Sequence, residues 1–102
     1  MRYKTKRAKA CDIPLEVKNK VFERDNKQCV FCFNGNASAN AHYISRAQGG
    51  LGIEQNILTL CQACHDRYDK TTDRKQMREF FKGYLQSKYA EWSEDNLIYK
   101  KF

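Results

Sequence analysis

Several things are missing from this chain, and each absence excludes something. No apolar run approaches the roughly 20 residues that a membrane-spanning helix requires. The N-terminus is basic but lacks the apolar stretch of a secretory leader. The expectation is a soluble, intracellular, cytoplasmic protein with no membrane partner. There are no internal repeats and no low-complexity segment. Acidic residues are in short supply, 12 against 19 Lys and Arg, which leaves a net charge of +7. An excess of that sign favours a polyanionic partner, nucleic acid being the commonest for a soluble intracellular protein, although many basic proteins bind none.

At 102 residues the chain has room for one domain, and a domain of this size buries only about two-thirds of its unfolded surface. A core so small often needs a staple. A composition of 41% hydrophobic and 13% aromatic residues can still build a packed interior. The expected organisation is a basic N-terminal tail over residues 1–12 and a single domain over 13–102. Arg2, Lys4, Lys6, Arg7 and Lys9 make the tail equally readable as a solvated end or as an arm that neutralises phosphates.

Five cysteines, an odd number, argue against a disulfide framework in a reducing compartment. Their spacing says more. Cys29-Val30-Phe31-Cys32 and Cys61-Gln62-Ala63-Cys64 are matching Cys-x-x-Cys knuckles, and Cys11 stands apart as a free thiol. Four thiolates close a tetrahedral shell, so Cys29, Cys32, Cys61 and Cys64 are expected to hold a structural Zn²⁺, with iron on the same ligands as a rival.

In chain order, Pro14 to Asp25 reads as a short helix with Val17, Val21 and Phe22 on one face. Asn34 to Ser38 is a turn-rich link, Asn40 to Ser45 a short strand, and Gln48 to Gly52 a glycine-rich loop. Ile57 to Leu60 forms the second strand, pairing with the first across that loop. A helix runs from Gln62 onward and ends near Lys70-Thr71-Thr72. The last helix starts with a capping box of Asp73 and Gln76 and carries a core stripe of Met77, Phe80, Phe81, Tyr84 and Leu85. Gly83 within it implies close packing or a bend. Trp92, Leu97, Ile98, Tyr99 and Phe102 are expected to fold back onto the body.

His42, Asn56, His65 and Asp69 remain. His65 and Asp69 are four apart on a helix, about 6 Å between Cβ atoms, and can share one divalent cation. His42, on the opposite strand, could take a proton from water near that cation. Each residue also has a bland reading: a surface histidine, a solvated aspartate, a turn asparagine, or, for His65, a substitute zinc ligand for Cys64.

The order His42-x-Ile44, Gly49-Gly50, Asn56-Ile57-Leu58-Thr59-Leu60-Cys61-x-x-Cys64-His65, set between two cysteine knuckles, closely resembles the HNH endonuclease family over residues 29–69. That resemblance implies a small α+β fold: a ββα-metal (His-Me finger) core with a structural zinc and flanking N- and C-terminal helices. It implies a metal-dependent DNA endonuclease that hydrolyses phosphodiester bonds to 5′-phosphate and 3′-hydroxyl ends. Three catalytic positions carry over: His42 as general base, Asn56 as the brace of the loop between the strands, and His65 as a ligand of the catalytic ion. Ala41 stands where many members have a ligating Asp or His, so Asp69 would supply the anionic ligand, and a carboxylate shifts preference towards Mg²⁺ or Mn²⁺. Arg46 and Arg67, with Lys4, Lys6 and Arg7 of the tail, are the candidate nucleic-acid contacts. The implied partner is DNA, double-stranded, and by analogy with small phage-encoded members a packaging or mobile-element protein. The rivals are a non-catalytic zinc-stapled nucleic-acid-binding module and a zinc-stabilised protein-interaction domain.

Overall fold

In the computed structural model, which describes residues 5–100, the chain forms four α-helices and one two-stranded antiparallel sheet, a small α+β arrangement. The order is α1 (Lys6–Cys11), α2 (Leu15–Arg24), β1 (Ala37–His42), β2 (Ile57–Cys61), α3 (Gln62–Lys70) and α4 (Arg74–Lys88). Short 3₁₀ turns stand at Arg46–Gln48 and Glu94–Leu97. No helix among the described residues is long and apolar enough to cross a membrane.

Pro14 caps α2 from extended backbone, as its missing N–H allows. Asn26 and Lys27, both left-handed at φ 59° and 58°, end the helix, with the Lys27 N–H returning to the Phe22 carbonyl at 2.9 Å. Val21 packs with Ala39 and Ile57 on one side of the sheet, flanked by Ile13, Val17 and Phe22.

The first strand lies earlier than expected, at Ala37–His42 and not Asn40–Ser45. Ala37 pairs with Cys61 and Ser38 with Leu60, but Ala41 pairs with Leu58 and His42 with Ile57. A bulge between Ser38 and Ala41 therefore puts one extra residue on β1. A one-residue slip reverses the faces of a strand. Ala39 accordingly joins the α2 cluster, while Ala41 joins the main core on the other side. Every residue of β2 is buried, as expected of a strand covered on both faces.

The main core gathers Tyr43, Leu58, Leu60, Tyr68, Met77, Phe81, Leu85 and Leu97. Tyr68 ties the helical layer to the loop, its hydroxyl donating to the Tyr43 carbonyl at 2.8 Å. On α4, Met77, Phe81 and Leu85 are buried, whereas Phe80 is half-exposed and meets Phe31 edge-on at 5.3 Å. Two details of α4 depart from expectation. Asp73 makes no capping bond and is instead paired with Arg67 at 3.0 Å. Gly83 faces open space, with nothing within 4 Å of where a methyl would sit, so neither close packing nor contact explains it.

The C-terminal segment returns to the loop after β1. Leu51 and Leu97 bond at 2.8 Å, Tyr99 bonds to Gly49 at 2.8 Å, and the Trp92 indole donates to the Gln55 carbonyl at 2.8 Å. Phe102 lies outside the described residues.

Candidate metal centre

Two knuckles from distant parts of the chain converge because β2 stands between them. The first is the turn after α2: the Cys29 N–H donates to the Asn34 carbonyl and the Phe33 N–H to the Cys29 carbonyl, both at 2.9 Å. The Val30 N–H then bonds to the Thr59 carbonyl at 3.0 Å, docking this turn on β2. The second knuckle is the corner where β2 becomes α3. Cys61 is the N-cap of α3, its sulfur accepting from the Cys64 N–H at 3.5 Å, and Cys29 accepts from the Cys32 N–H in the same way.

The four sulfurs all lie within 4.8 Å of one another, with Cys32 and Cys61 at 3.5 Å. A tetrahedral ion with bonds of about 2.3 Å needs sulfurs about 3.8 Å apart, a separation close to that of this donor set. Cys29, Cys61 and Cys64 are buried and Cys32 is exposed. The thiols differ in acidity. Burial pushes Cys29 up, but backbone N–H groups from Cys32, Cys61 and Phe31 outweigh it and bring the thiol down to about 7. Burial and its neighbouring thiols push Cys64 up. One thiolate is readily accommodated, and it takes a cation to hold the others as thiolates.

Of the other predicted residues, His42, His65, Asp69 and Arg46 line an open cleft of about 1030 Å³ between β1, α3 and the start of α2, together with Arg74 and Lys18; Asn56 and Arg67 do not line it. His65 and Asp69 do meet, Nε2 to Oδ2 at 3.1 Å. They supply only two ligand atoms: the cysteine quartet is the one group of three or more His, Cys, Asp or Glu placed to share an ion among the described residues. His42 places Nε2 at 2.8 Å from the Cys11 carbonyl oxygen. Because a carbonyl only accepts, the proton sits on Nε2. Burial lowers the His42 pKa, with Arg46 and His65 acting in the same direction. Asn56 is fully buried: its Oδ1 accepts from the Ile44 N–H at 2.8 Å, and its Nδ2 donates to the carbonyls of Ile44 at 3.1 Å and Leu51 at 2.9 Å.

Three of the candidate phosphate contacts, Arg46, Arg67 and Arg7, are already engaged within the chain. Arg46 pairs with Asp12 at 2.7 Å and Arg67 with Asp73 at 3.0 Å. Lys6 and Arg7 lie on α1, where Arg7 reaches the Ala47 carbonyl at 2.8 Å; Lys4 lies outside the described residues. Sequence reasoning missed Arg74 and the Cys11 carbonyl. Arg74 sits 4.2 Å over the Tyr68 ring and 3.8 Å from Asp69, a placement set by the α3–α4 turn that no motif announces.

The fold and the quartet define a class: small α+β proteins with a four-cysteine cluster positioned to bind a metal. No family model matches the chain. Over 47 residues it is 40% identical to Anaredoxin of Nostoc sp., the match covering 45% of this chain and 62% of that protein. That relative is named as a redoxin and not as a nuclease. This corrects the reading as an HNH endonuclease. The correction extends to DNA phosphodiester hydrolysis as the activity, and a catalytic Mg²⁺ or Mn²⁺ at His65 and Asp69 finds no support among the described residues. The alternative of a nucleic-acid-binding module finds no support in the relative either. In physical terms, motif order brought the histidines to one cleft, but a two-donor pair is not a built ion site, whereas the four sulfurs are.

Proposed function

We propose that the protein is a small metal-thiolate electron carrier, with one iron ion held by Cys29, Cys32, Cys61 and Cys64. Iron in a four-sulfur shell supplies one-electron chemistry. The chain's own part is to hold the shell fixed and to bring one edge of it to solvent. The observation that carries the reading is the quartet itself: four convergent sulfurs, three buried and one, Cys32, exposed. The N–H groups of Cys32 and Cys64, aimed at the sulfurs of Cys29 and Cys61, favour the more negative state of such a centre. The redoxin name of the partial relative agrees with this reading.

The test is to purify the chain without added metal, measure its metal content, record the visible spectrum and run voltammetry. About one iron per chain with a reversible one-electron wave is expected. One zinc per chain and no wave overturns electron transfer. It would leave the second reading, a structural Zn²⁺, which one observation favours: Cys61 is at once the end of β2, the N-cap of α3 and a sulfur donor, so an ion there closes a corner of the fold.

A further inference from the structure

We propose that Cys32 and Cys61 form a peroxide-sensitive pair whose oxidation to a disulfide opens the metal centre. The proposal rests on the reading that the quartet holds a metal and adds a mode of control to it. Cys32 is the one sulfur of the four on the surface, so a small oxidant meets it first. The turn presents it outward: Phe33, the next residue, is 66% exposed and held in the left-handed region at φ 66°, a conformation a bulky side chain does not choose on local grounds. Its neighbour across the site is already placed, since the Cys32 and Cys61 sulfurs are 3.5 Å apart. Cys11, the remaining thiol, is buried away from the quartet and does not compete.

The oxidant is a hydroperoxide, taken here as hydrogen peroxide. The Cys32 thiolate attacks one peroxide oxygen, an S–O bond forms as the O–O bond breaks, and the departing hydroxide takes a proton to become water. The Cys61 thiolate then attacks the Cys32 sulfur, the S–S bond forms, and a second hydroxide leaves and is protonated. Two thiolates, one hydrogen peroxide and two protons thus give one disulfide and two waters. The ion is left with two of its four ligands, Cys29 and Cys64. The new bond joins the same two segments the ion joined, the first knuckle and the end of β2, so the cross-link passes from metal to disulfide and the strand register is kept.

The experiment treats the metal-loaded full chain with hydrogen peroxide. It follows metal release with a chromogenic chelator, intact mass, and a peptide map after differential alkylation. The expected result is release of the bound ion in step with a mass loss of about 2 Da, one disulfide's worth of hydrogen, mapping to Cys32 and Cys61. Cys11→Ser should release metal at the wild-type rate, and Cys32→Ser should not form the 2-Da-lighter product. Because Cys32→Ser alters the ligand set, the wild-type map decides. A disulfide between any other pair, first oxidation at a buried cysteine, or release without a disulfide overturns the proposal. A chain that carries no metal fails the metal reading instead, and the pairing is still read from mass and map.

Discussion

Asp25 is the residue whose loss should be felt most widely. Its side chain is wholly buried, which the fold tolerates because every direction of the carboxyl group is answered. Oδ1 accepts from Arg24 Nε at 2.7 Å and from the Tyr84 hydroxyl at 2.6 Å; Oδ2 accepts from Arg24 Nη2 and the Thr59 N–H, both at 3.0 Å. One carboxylate thereby joins α2, β2 and α4. Breaking such a pair from one side costs about 3–5 kcal/mol, since the partner is stranded as a buried charge. Arg24 is only 12% exposed, but without Asp25 it would keep bonds to the carbonyls of Glu54 and Ile57, both at 2.7 Å, and to the Tyr89 hydroxyl. That remaining shell places the arginine's share near the lower end. The Thr59 N–H, orphaned in the strand, adds about 1–3 kcal/mol. We therefore expect Asp25→Ala to lose about 4–6 kcal/mol, a large part of the roughly 5–15 kcal/mol available to a chain of this size. Tyr84→Phe should lose about 1.5–3 kcal/mol, the worth of one hydrogen bond to a charged acceptor. The assay is urea unfolding of the metal-loaded protein, followed by fluorescence of Trp92, the only tryptophan. A loss under about 1 kcal/mol for Asp25→Ala would refute the reasoning, because it would mean that the carboxylate bears no part of the junction.

Four further outcomes follow from other parts of the structure. Removing the metal by chelation, or losing it through Cys64→Ser, should lower stability and loosen the start of α3 along with the first knuckle, read as faster amide exchange at Cys29–Asn34 and Cys61–His65 but not in the α2 cluster. Asn56→Ala should cost about 2–4 kcal/mol in urea unfolding, since it strands the Ile44 N–H and two carbonyls in a buried loop. The two glycines should behave oppositely in thermal melts. Gly83→Ala stabilises by about 0.5–1 kcal/mol because a methyl there meets nothing, while Gly50→Ala is strongly destabilising because the methyl would fall on the Ile44 carbonyl. His42 sets a pH dependence: its folded pKa lies below the ordinary value near 6.5, so the unfolded chain binds the proton more tightly. Its contribution is intact above about pH 6.5 and is lost as pH falls through the folded pKa. An NMR titration of the imidazole gives the folded value, and His42→Gln should flatten the acid limb of the stability curve.

What could be read from the residues alone divides along a physical line. The helices from α2 onward are legible because apolar spacing and a single proline act locally: α2 begins after Pro14, and α3 starts at Gln62 as expected. Helix α1 is not, since Lys6–Cys11 lies in the stretch expected as a basic tail and carries no apolar periodicity. The cysteine quartet was legible because Cys-x-x-Cys is a short-range motif whose geometry follows from its spacing. The first strand was misplaced by three residues, because Ala37-Ser38-Ala39-Asn40 has no strand propensity of its own. It is a strand because β2 is one, and tertiary pairing overrides composition. The bulge that turns Ala41 to the main core leaves no trace in the residue pattern either. The arginines were the hardest to place: Arg24, Arg46, Arg67 and Arg74 look alike in sequence, and only the fold shows each beside a carboxylate.

Residue order brought His42, His65 and Asp69 into one cleft, and the structure agrees that they are there. Order says which groups can meet; it does not say what they have left to give once they have met. Asp69 is shared between His65 and Arg74, and His42 spends Nε2 on the Cys11 carbonyl. The sulfurs are different in kind. Thiols are poor hydrogen-bond partners for one another, so four of them drawn within 4.8 Å gain little without a cation. Two separate turns and a strand end thus converge on a point positioned to bind a metal. The same convergence leaves the four unequal: Cys29, Cys61 and Cys64 are buried, while Cys32 is exposed, its sulfur 3.5 Å from that of Cys61, the residue that also caps a helix.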